Sequence, residues 1–248
     1  MAKETKPLRR GSYGIDAPYA AAVVIVSATV AIVAELVGTI LSGKLRGLLP
    51  VALILAIVGF GLHTTLRGKF VVWAELLDGL GLRGDERILD LGCGRGAVLM
   101  LAARHLTTGR AVGVDLWRGA DQSGNSSEAT RRNAVAEGVA DRVELLTGDM
   151  TALPFEDGSF DLVVSNFAIH NIRGRAGRER AIEEAVRVLR PGGRLRIADM
   201  RGTRRYHAHL ARIGMRDVSR RGLGWRCWCG SPLVPTHLVS AMKPEGLI

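Results

Sequence analysis

Cysteine, aromatic residues and acidic charge are all scarce in this sequence. Its three cysteines form no even set and no C-x-x-C pair, which excludes a disulfide framework and fits a reducing compartment. Aromatic residues make up 5% of the chain, and no aromatic platform for stacking bases is interleaved with the basic residues. Lysine and arginine outnumber the acidic residues by 34 to 24, and the net charge of +10 fits an anionic partner such as nucleic acid or a membrane surface.

Formal charge is nearly absent from two long runs near the N-terminus. Residues 17–41 contain only Glu35, and residues 47–66 contain no formal charge. Each run approaches the roughly 20 apolar residues that span a bilayer as a helix, and the short SGKLR link predicts a helical hairpin. More basic residues flank the hairpin than lie in its link, so the positive-inside rule predicts that both ends are cytoplasmic. The flanking residues are Lys3, Lys6, Arg9, Arg10, Arg67 and Lys69, and those in the link are Lys44 and Arg46.

Two other interpretations of these runs stay open. A signal peptide would have one short apolar core followed by a small-residue cleavage pattern, whereas this chain has two apolar runs and no such pattern after the first. A soluble hairpin packed on the main domain is the stronger alternative, because Glu35, Pro50, Gly59 and Gly61 interrupt the runs. We predict a membrane-spanning or deeply embedded hairpin, with the C-terminal domain in the cytosol. The predicted parts are a basic cytoplasmic segment (1–18), a two-helix membrane hairpin (19–69) and a C-terminal domain (70–248).

The C-terminal domain alternates predicted strands and helices. The strands fall at 87–91, 111–115, 142–149, 160–166 and 193–199, with helices at about 96–106, 126–138 and 177–189. A further helix after Asp199 and two closing strands, in 217–229 and 237–243, complete the pattern. The alternation indicates an α/β fold with a mostly parallel sheet and helices on both faces. Ligands in such sheets bind beyond the carboxyl ends of the strands, where Asp90, Asp115, Asp149 and Asn166 are predicted to lie.

The stretch ILDLGCGRG (88–96) joins the first of these strands to a helix. Gly92, Gly94 and Ala97 satisfy the dinucleotide pattern G-x-G-x-x-G/A, so the glycines alone do not identify the ligand. A dinucleotide would bring its pyrophosphate to the helix N-terminus, where Asp90 would oppose it. The same carboxylate suits a ligand with an ammonium and a sulfonium, as S-adenosylmethionine (SAM) has.

Five motifs between residues 89 and 199 carry a specific resemblance. They are LDLGCGRG, VGVDLW, GDMTALPF, FDLVVSNFAIHNI and VLRPGGRLRIAD. From about residue 70 onward the chain resembles the class I SAM-dependent methyltransferases, whose Rossmann-like fold has seven strands, the last of them reversed. The resemblance implies a methyltransferase enzyme that uses SAM and releases S-adenosylhomocysteine (SAH).

The resemblance also implies roles for the residues at the strand ends. Gly92, Gly94 and Gly96 would let the backbone approach the methionyl part of SAM, and Asp90 would orient its charged end. Asp115 would accept both ribose hydroxyls. The other implied contacts are Leu116 and Trp117 flanking the adenine, Asp149 with its exocyclic amine, Met150 beside the ring, and Asn166 beside the sulfonium. An aspartate at a strand end can instead serve only as a cap or turn former.

Catalytic residues are harder to assign, because in-line methyl transfer needs no obligatory one. If the acceptor must lose a proton, His170 is the candidate base, since histidine exchanges protons near neutral pH; a structural histidine is the alternative. Tyr13 and Asp16 in YGIDAPY (13–19) are predicted to form part of a lid over the cofactor, or else a turn that starts the first helix. Cys227 and Cys229 are expected to share one face of a strand as core or substrate-wall residues, with no metal site.

The leading hypothesis is therefore a membrane-bound SAM-dependent methyltransferase that acts on a lipid or lipophilic small molecule. A nucleic-acid (RNA) methyltransferase is the alternative that the basic charge suggests, but SNFA (165–168) lacks the Asn/Asp-Pro-Pro-aromatic motif used on exocyclic amines. A non-catalytic SAM-binding membrane assembly factor is a third hypothesis. The sequence identifies neither the acceptor atom nor the oligomeric state.

Overall fold

The N-terminal part of the computed structural model is a pair of apolar helices, and residues 9–42 and 48–246 of the chain are described. Helix α1 (Pro18–Ser42) and helix α2 (Leu48–His63) contact each other as a hairpin. Five residues of π-helix, Thr64–Gly68, carry α2 directly into α3 (Lys69–Asp78). The predicted division of the chain after residue 69 thus falls inside one continuous helical rod, which the hairpin shares with the C-terminal domain.

The hairpin exposes apolar side chains along most of its described length. Ile40 and Leu41 of α1 are 80% and 82% exposed, and Leu53 and Leu55 of α2 are more than half exposed. Two helical stretches, Ala21–Ser42 and Val51–Asp78, are long and apolar enough to cross a membrane by length and composition. Some residues used for the predicted orientation lie outside the described residues, namely Lys3, Lys6, Lys44 and Arg46.

A seven-stranded sheet forms the centre of the C-terminal domain. Its strands are β1 (Arg87–Leu91), β2 (Arg110–Asp115), β3 (Val143–Thr147), β4 (Phe160–Asn166), β5 (Leu189–Asp199), β6 (Arg216–Gly222) and β7 (His237–Met242). They lie in the order β3-β2-β1-β4-β5-β7-β6, and β7 runs antiparallel to both of its neighbours. The predicted Rossmann-like, seven-stranded, mostly parallel sheet is confirmed, as is the apolar two-helix hairpin that precedes it.

Helices cover both faces of this sheet. They are α4 (Ala97–Ala103), α5 (Ser127–Glu137), α6 (Arg175–Val188) and α7 (Thr203–Arg212). Ile88 of β1 packs into the cluster formed with α3 and α4, whereas its neighbour Leu89 packs into the cluster formed with α6 and α7. Successive side chains of a strand point to opposite faces, so the near-continuous apolar sequence of β1 serves both clusters.

The expectation that residues 217–229 form one strand is wrong beyond Gly222. Gly224 has φ of 75°, a conformation that favours glycine and breaks the extended run, and Trp225–Cys227 form a 3₁₀ turn. The main-chain carbonyl of Cys227 then accepts hydrogen bonds from the main-chain N–H and the side-chain hydroxyl of Thr236. Cys227 and Cys229 therefore do not alternate along a strand; Cys227 is buried and Cys229 is half-buried.

Candidate functional site

A cavity of about 110 Å³ opens at the carboxyl ends of β1, β2 and β4. The strand order reverses here, because β1 pairs with β2 on one side and with β4 on the other, and ligands bind at such switch points. Eight of the predicted site residues line this cavity: Asp16, Asp90, Gly92, Gly94, Asp115, Leu116, Met150 and Asn166. We refer to it as the cofactor cavity.

The loop after β1 brings backbone to the cavity wall. Gly92 has φ of 69°, and a Cβ atom there would lie 2.2 Å from the Cβ of Ala168. At Gly94, with φ of 52°, a Cβ atom would lie 2.5 Å from Oε1 of Gln122. Both positions thus favour glycine by conformation, and Gly92 requires it in space as well. Gly96 caps α4 in a left-handed conformation outside the cavity lining.

Asp90 is a buried carboxylate whose pairing is incomplete. Only 2% of the residue is exposed, and its Oδ2 atom has no hydrogen-bond partner among the described residues. Burial, and then the nearby charge of Asp115, raise the pKa of Asp90 to about 8. A buried carboxylate oxygen without a donor is costly, and an ammonium group in the cavity would supply that donor.

Asp115 ends β2 and binds the glycine loop. Its Oδ2 accepts a hydrogen bond of 2.8 Å from the main-chain N–H of Gly94. Its Oδ1 accepts from the main-chain N–H of Trp117 at 2.6 Å and from the amide of Asn125 at 3.1 Å. A carboxylate has about four acceptor positions, so these three hydrogen bonds leave one for a ligand hydroxyl. The Trp117 indole donates instead to Thr147 and lies outside the cavity lining.

The remaining predicted cofactor contacts differ in position. Asp149 is exposed and outside the cavity lining, and its Oδ1 accepts hydrogen bonds of 2.8 Å from both the main chain and the hydroxyl of Thr151, as in a turn. Met150 lines the cavity directly after it. The Oδ1 atom of Asn166 accepts a 2.8 Å hydrogen bond from the indole of Trp73 on α3, which fixes the amide. Nothing in the sequence pattern indicates Trp73 as part of the site.

Tyr13 is not brought to the cavity. Its hydroxyl donates a 2.7 Å hydrogen bond to Oε1 of Glu137 on α5, and its ring packs edge-on against Phe70. The main-chain N–H groups of Arg10 and Gly11 donate to the same carboxylate oxygen. Burial and this carboxylate raise the pKa of Tyr13 far above its usual value, so the hydroxyl stays protonated. In the structure Tyr13 anchors the N-terminal segment, because its partner lies outside the cavity on α5.

Asp16 reaches the cavity wall and joins three parts of the chain. Its Oδ2 accepts hydrogen bonds from the ammonium of Lys69 at 2.6 Å and the hydroxyl of Thr65 at 2.8 Å. Its Oδ1 accepts from the side-chain amide of Gln122 at 2.8 Å. The Lys69 side chain is 2% exposed, so Asp16 is the counter-ion of a buried lysine. Neither Lys69 nor Gln122 was predicted from the sequence as a partner of Asp16, because they lie 53 and 106 positions from it along the chain.

His170 is paired with a buried carboxylate. Its Nδ1 lies 2.7 Å from Oδ1 of Asp199, the last residue of β5, and its main-chain N–H donates to Oδ2 of the same residue. The Asp199 side chain is fully buried. A histidine whose Nδ1–H is given to a carboxylate presents Nε2 as the basic atom. The motif VLRPGGRLRIAD contained Asp199, but nothing in the sequence indicated its partner.

A second, larger cavity of about 400 Å³ lies between the hairpin and the C-terminal domain. His170 and Cys229 line it, and most of its other residues are apolar. Four residues line both cavities: Asp16, Asp121, Phe167 and Asn171. The two cavities therefore meet, with His170 beside the junction. We refer to the second as the apolar cavity.

Comparison with known proteins shows what this domain is similar to. Residues 89–197 match the family model of a methyltransferase domain. The chain folds like a geranyl diphosphate methyltransferase solved with SAM, with a TM-score of 0.58 and 20% identity over 73% of this chain and 88% of that one. Residues 89–197 are thus similar in sequence to a methyltransferase domain, and the fold of the chain resembles that of a methyltransferase solved with SAM, in line with the resemblance stated above.

Two curated relatives share higher identity over part of their length. The methyltransferase GfsG of Streptomyces halstedii is 38% identical over 131 residues, which cover 52% of this chain and 44% of that protein. The ubiquinone/menaquinone biosynthesis C-methyltransferase UbiE of Roseobacter denitrificans is 34% identical over 129 residues, which cover 52% of this chain and 48% of that protein. The chain thus spans about half the length of the curated relatives it matches.

Proposed function

We propose that this protein is a SAM-dependent methyltransferase that modifies a lipid or lipophilic small molecule at a membrane. The observation that carries the cofactor assignment is the unpaired, buried carboxylate oxygen of Asp90 at the wall of the cofactor cavity. A dinucleotide pyrophosphate carries no donor for this oxygen and would place its negative charge beside it. The ammonium of SAM would instead satisfy the Asp90 oxygen.

The cavity residues divide the work of binding. SAM, when bound, supplies a methyl group on an electron-poor sulfonium. Asp90 would hold the ammonium. Asp115 would accept one ribose hydroxyl at its free acceptor position and the other at the position that the amide of Asn125 now occupies. Leu116 and Met150 provide the apolar surface for the adenine. Asp149 could accept a hydrogen bond from the exocyclic amine only in addition to those that it already accepts from Thr151.

His170 is the residue that would move a proton. Asp199 would fix the imidazole through Nδ1, so that Nε2 is the atom that takes the proton from the methyl acceptor. Asn171 and Phe167 line the junction of the two cavities and would hold the acceptor in line with the methyl group while keeping water out.

The names of the matched proteins support a lipophilic acceptor. The Roseobacter relative is named for ubiquinone and menaquinone biosynthesis, and the structural neighbour for geranyl diphosphate. The apolar cavity of this chain is suited to an acceptor of that general character, because apolar side chains form most of its wall. These names do not fix the acceptor atom of this protein.

The exposed hairpin supports a membrane location. Its apolar side chains would be covered by lipid, and the basic residues around it favour the cytoplasmic side for the C-terminal domain. Carbonate extraction of membranes tests this with the full chain and with Val26→Lys/Val30→Lys/Val33→Lys, since each lysine costs about 3 kcal/mol at the centre of a membrane helix. We expect the unaltered chain to stay in the pellet and the triple variant to be released. Release of the unaltered chain would contradict the membrane proposal.

Cofactor binding is tested by isothermal titration of the purified full chain with SAM, SAH and NAD. We expect SAM and SAH to bind at micromolar concentration and NAD not to bind. Asp115→Asn should weaken SAM at least about tenfold, because it removes the charge and one of the two acceptor oxygens that the ribose hydroxyls meet. Asp141→Asn is the matched control, because Asp141 is an exposed aspartate outside the cavity. Binding of NAD alone would overturn the proposed function. If SAM binds as expected, transfer of a labelled methyl group from SAM into extracted membrane lipids would identify the acceptor.

A further inference from the structure

One wall of the apolar cavity is formed by the hairpin. The contributing residues are Ala21, Val24 and Ile25 of α1, and Ile57, Val58, Gly61 and Leu62 of α2. The opposite wall includes His170, Met200 and Val234 of the C-terminal domain. The hairpin is therefore part of the cavity that meets the cofactor site.

The structure holds this wall at a defined position. The backbone of α2 approaches the loop before β7 closely, since a Cβ atom on Gly61 would lie 4.0 Å from Cα of Gly230. The hydroxyl of Thr64 donates a 2.6 Å hydrogen bond to the main-chain carbonyl of Trp228, whose ring packs edge-on against Phe60. The WRCWC motif, which the cofactor site does not use, thus docks the hairpin onto the domain.

Polarity changes from one end of the apolar cavity to the other. Asp16, His170 and Asn171 lie at the end that meets the cofactor cavity. Val24, Ile57 and Val58 lie at the hairpin, and Val24 and Ile57 are themselves 41% and 42% exposed. A ligand that fits this gradient has a small protic head and a long apolar chain.

We propose that the hairpin is half of the acceptor site. The acceptor is a single-chain amphiphile whose apolar chain lies against α1 and α2, with its protic head between His170 and Asn171. Because the outer faces of the same helices are apolar and exposed, such a ligand reaches the cavity from the bilayer and not from the cytosol. This inference rests on the proposed function, and it assigns to the hairpin a binding role beyond anchoring.

Photolabelling of the full chain in lipid nanodiscs, with SAH present, tests the inference. The probe is a 4-alkylphenol with a twelve-carbon chain that carries a diazirine near its middle, and mass spectrometry locates the adducts. Val24→Trp fills the cavity from α1, whereas Val23→Trp adds the same side chain at the adjacent position, which is 65% exposed and outside the cavity lining. We expect adducts on the cavity-lining residues, reduced about tenfold by Val24→Trp and unchanged by Val23→Trp.

The outcomes separate the site from the cofactor assignment. SAH affinity should be the same in both variants, because neither position touches the cofactor cavity. Equal labelling of the two variants, or adducts confined to outward positions such as Leu36 and Leu53, would overturn the acceptor site while SAH binding stands. Failure to bind SAH would overturn the proposed function, and the labelling contrast between the two variants would still decide whether the cavity takes an amphiphile.

Discussion

Nδ1 of His170 lies 2.7 Å from Oδ1 of Asp199, and the carboxylate of Asp199 is fully buried. Asp199→Asn keeps the shape of the side chain but removes the charge that orients the imidazole and stabilises it when Nε2 takes a proton. We expect kcat to fall about 100-fold, within the range for positioned acid–base groups, and SAM affinity to change less than about threefold. Steady-state kinetics with the identified acceptor and titration with SAM measure the two quantities.

The pH profile separates positioning from a purely structural role. His170→Gln should lose the limb of the kcat profile that reports the base, and adding Asp199→Asn to it should cost little more, since the two residues act as a unit. If Asp199→Asn instead lowers thermal stability and SAM affinity while the profile keeps its shape, Asp199 only supports the fold.

A second prediction concerns the buried carboxyl of Asp90. Burial, and then the charge of Asp115, raise the pKa of this group to about 8. An unfolded aspartate has a pKa of about 3.9. Between these values the folded state holds a proton that the unfolded state has lost, so the free energy of unfolding falls as pH rises from about 4 to about 8. Asp90→Asn removes this penalty. Without cofactor, the variant should therefore gain several degrees in Tm over the unaltered protein at pH 8 and less at pH 5.

The same substitution should harm binding. Asp90→Asn removes the carboxylate proposed for the ammonium of SAM, so we expect affinity to fall about tenfold or more. Calorimetric scans at both pH values and SAM titration at pH 8 provide the readouts. An equal gain in Tm at pH 5 and pH 8 would show that the folded carboxyl is already ionised, against the assigned pKa.

The sequence predicted the part of the site that a contiguous motif and sheet topology define. Gly92 and Gly94 lie in one short loop, and Asp115 ends the neighbouring parallel strand, so their convergence follows from the strand order. Lys69 and Trp73 were not predicted, because they enter through the packing of α3. That packing depends on contacts 53 and 93 positions apart, which no local pattern encodes.

The position of Tyr13 likewise depends on a contact that is distant in sequence. Its place in YGIDAPY suggested a lid over the cofactor, but a glutamate 124 positions away determines where the phenol lies. The strand predicted through WRCWC was wrong for a related reason. Alternating apolar residues indicate a strand in isolation, whereas Gly224 and the docking against α2 and α3 produce a turn.

A third prediction tests the anchor role of Tyr13. Tyr13→Phe removes one hydrogen bond to the buried carboxylate of Glu137, which keeps the main-chain donors of Arg10 and Gly11. We expect the free energy of unfolding to fall by about 1–2 kcal/mol, with kcat nearly unchanged. Denaturant unfolding and steady-state kinetics measure these effects. A large loss of kcat at unchanged stability would instead support the prediction of a lid.

A fourth prediction concerns the ion pair between Asp16 and Lys69. Asp16→Ala leaves the ammonium of Lys69 buried without its counter-ion, and such a loss costs about 3 kcal/mol. Asp16→Ala/Lys69→Met removes both charges and should recover about 2 kcal/mol of that loss. Denaturant unfolding of the single and double variants gives the coupling energy. Strictly additive effects would mean that the two charges do not stabilise each other.

The last prediction uses two glycines in the helical rod that joins the hairpin to the domain. A Cβ atom on Gly68 would lie 1.7 Å from the main-chain carbonyl oxygen of Arg226, a backbone atom that cannot rotate away. Gly68→Ala should therefore push α2 and α3 away from the turn at Trp225–Cys227. We expect this to lower the free energy of unfolding by about 1–3 kcal/mol. Gly59→Ala is the matched control, because a Cβ atom there meets nothing within 4 Å.

The two substitutions should act with opposite sign. Alanine is the better helix former by about 1 kcal/mol, so Gly59→Ala should raise the Tm of the detergent-solubilised chain while Gly68→Ala lowers it. Because Gly68 also sets the position of the hairpin wall, Gly68→Ala should raise the KM for a long-chain acceptor more than it changes SAM affinity. If both substitutions stabilise the chain equally, the close approach of the rod to Arg226 does not hold the hairpin in place.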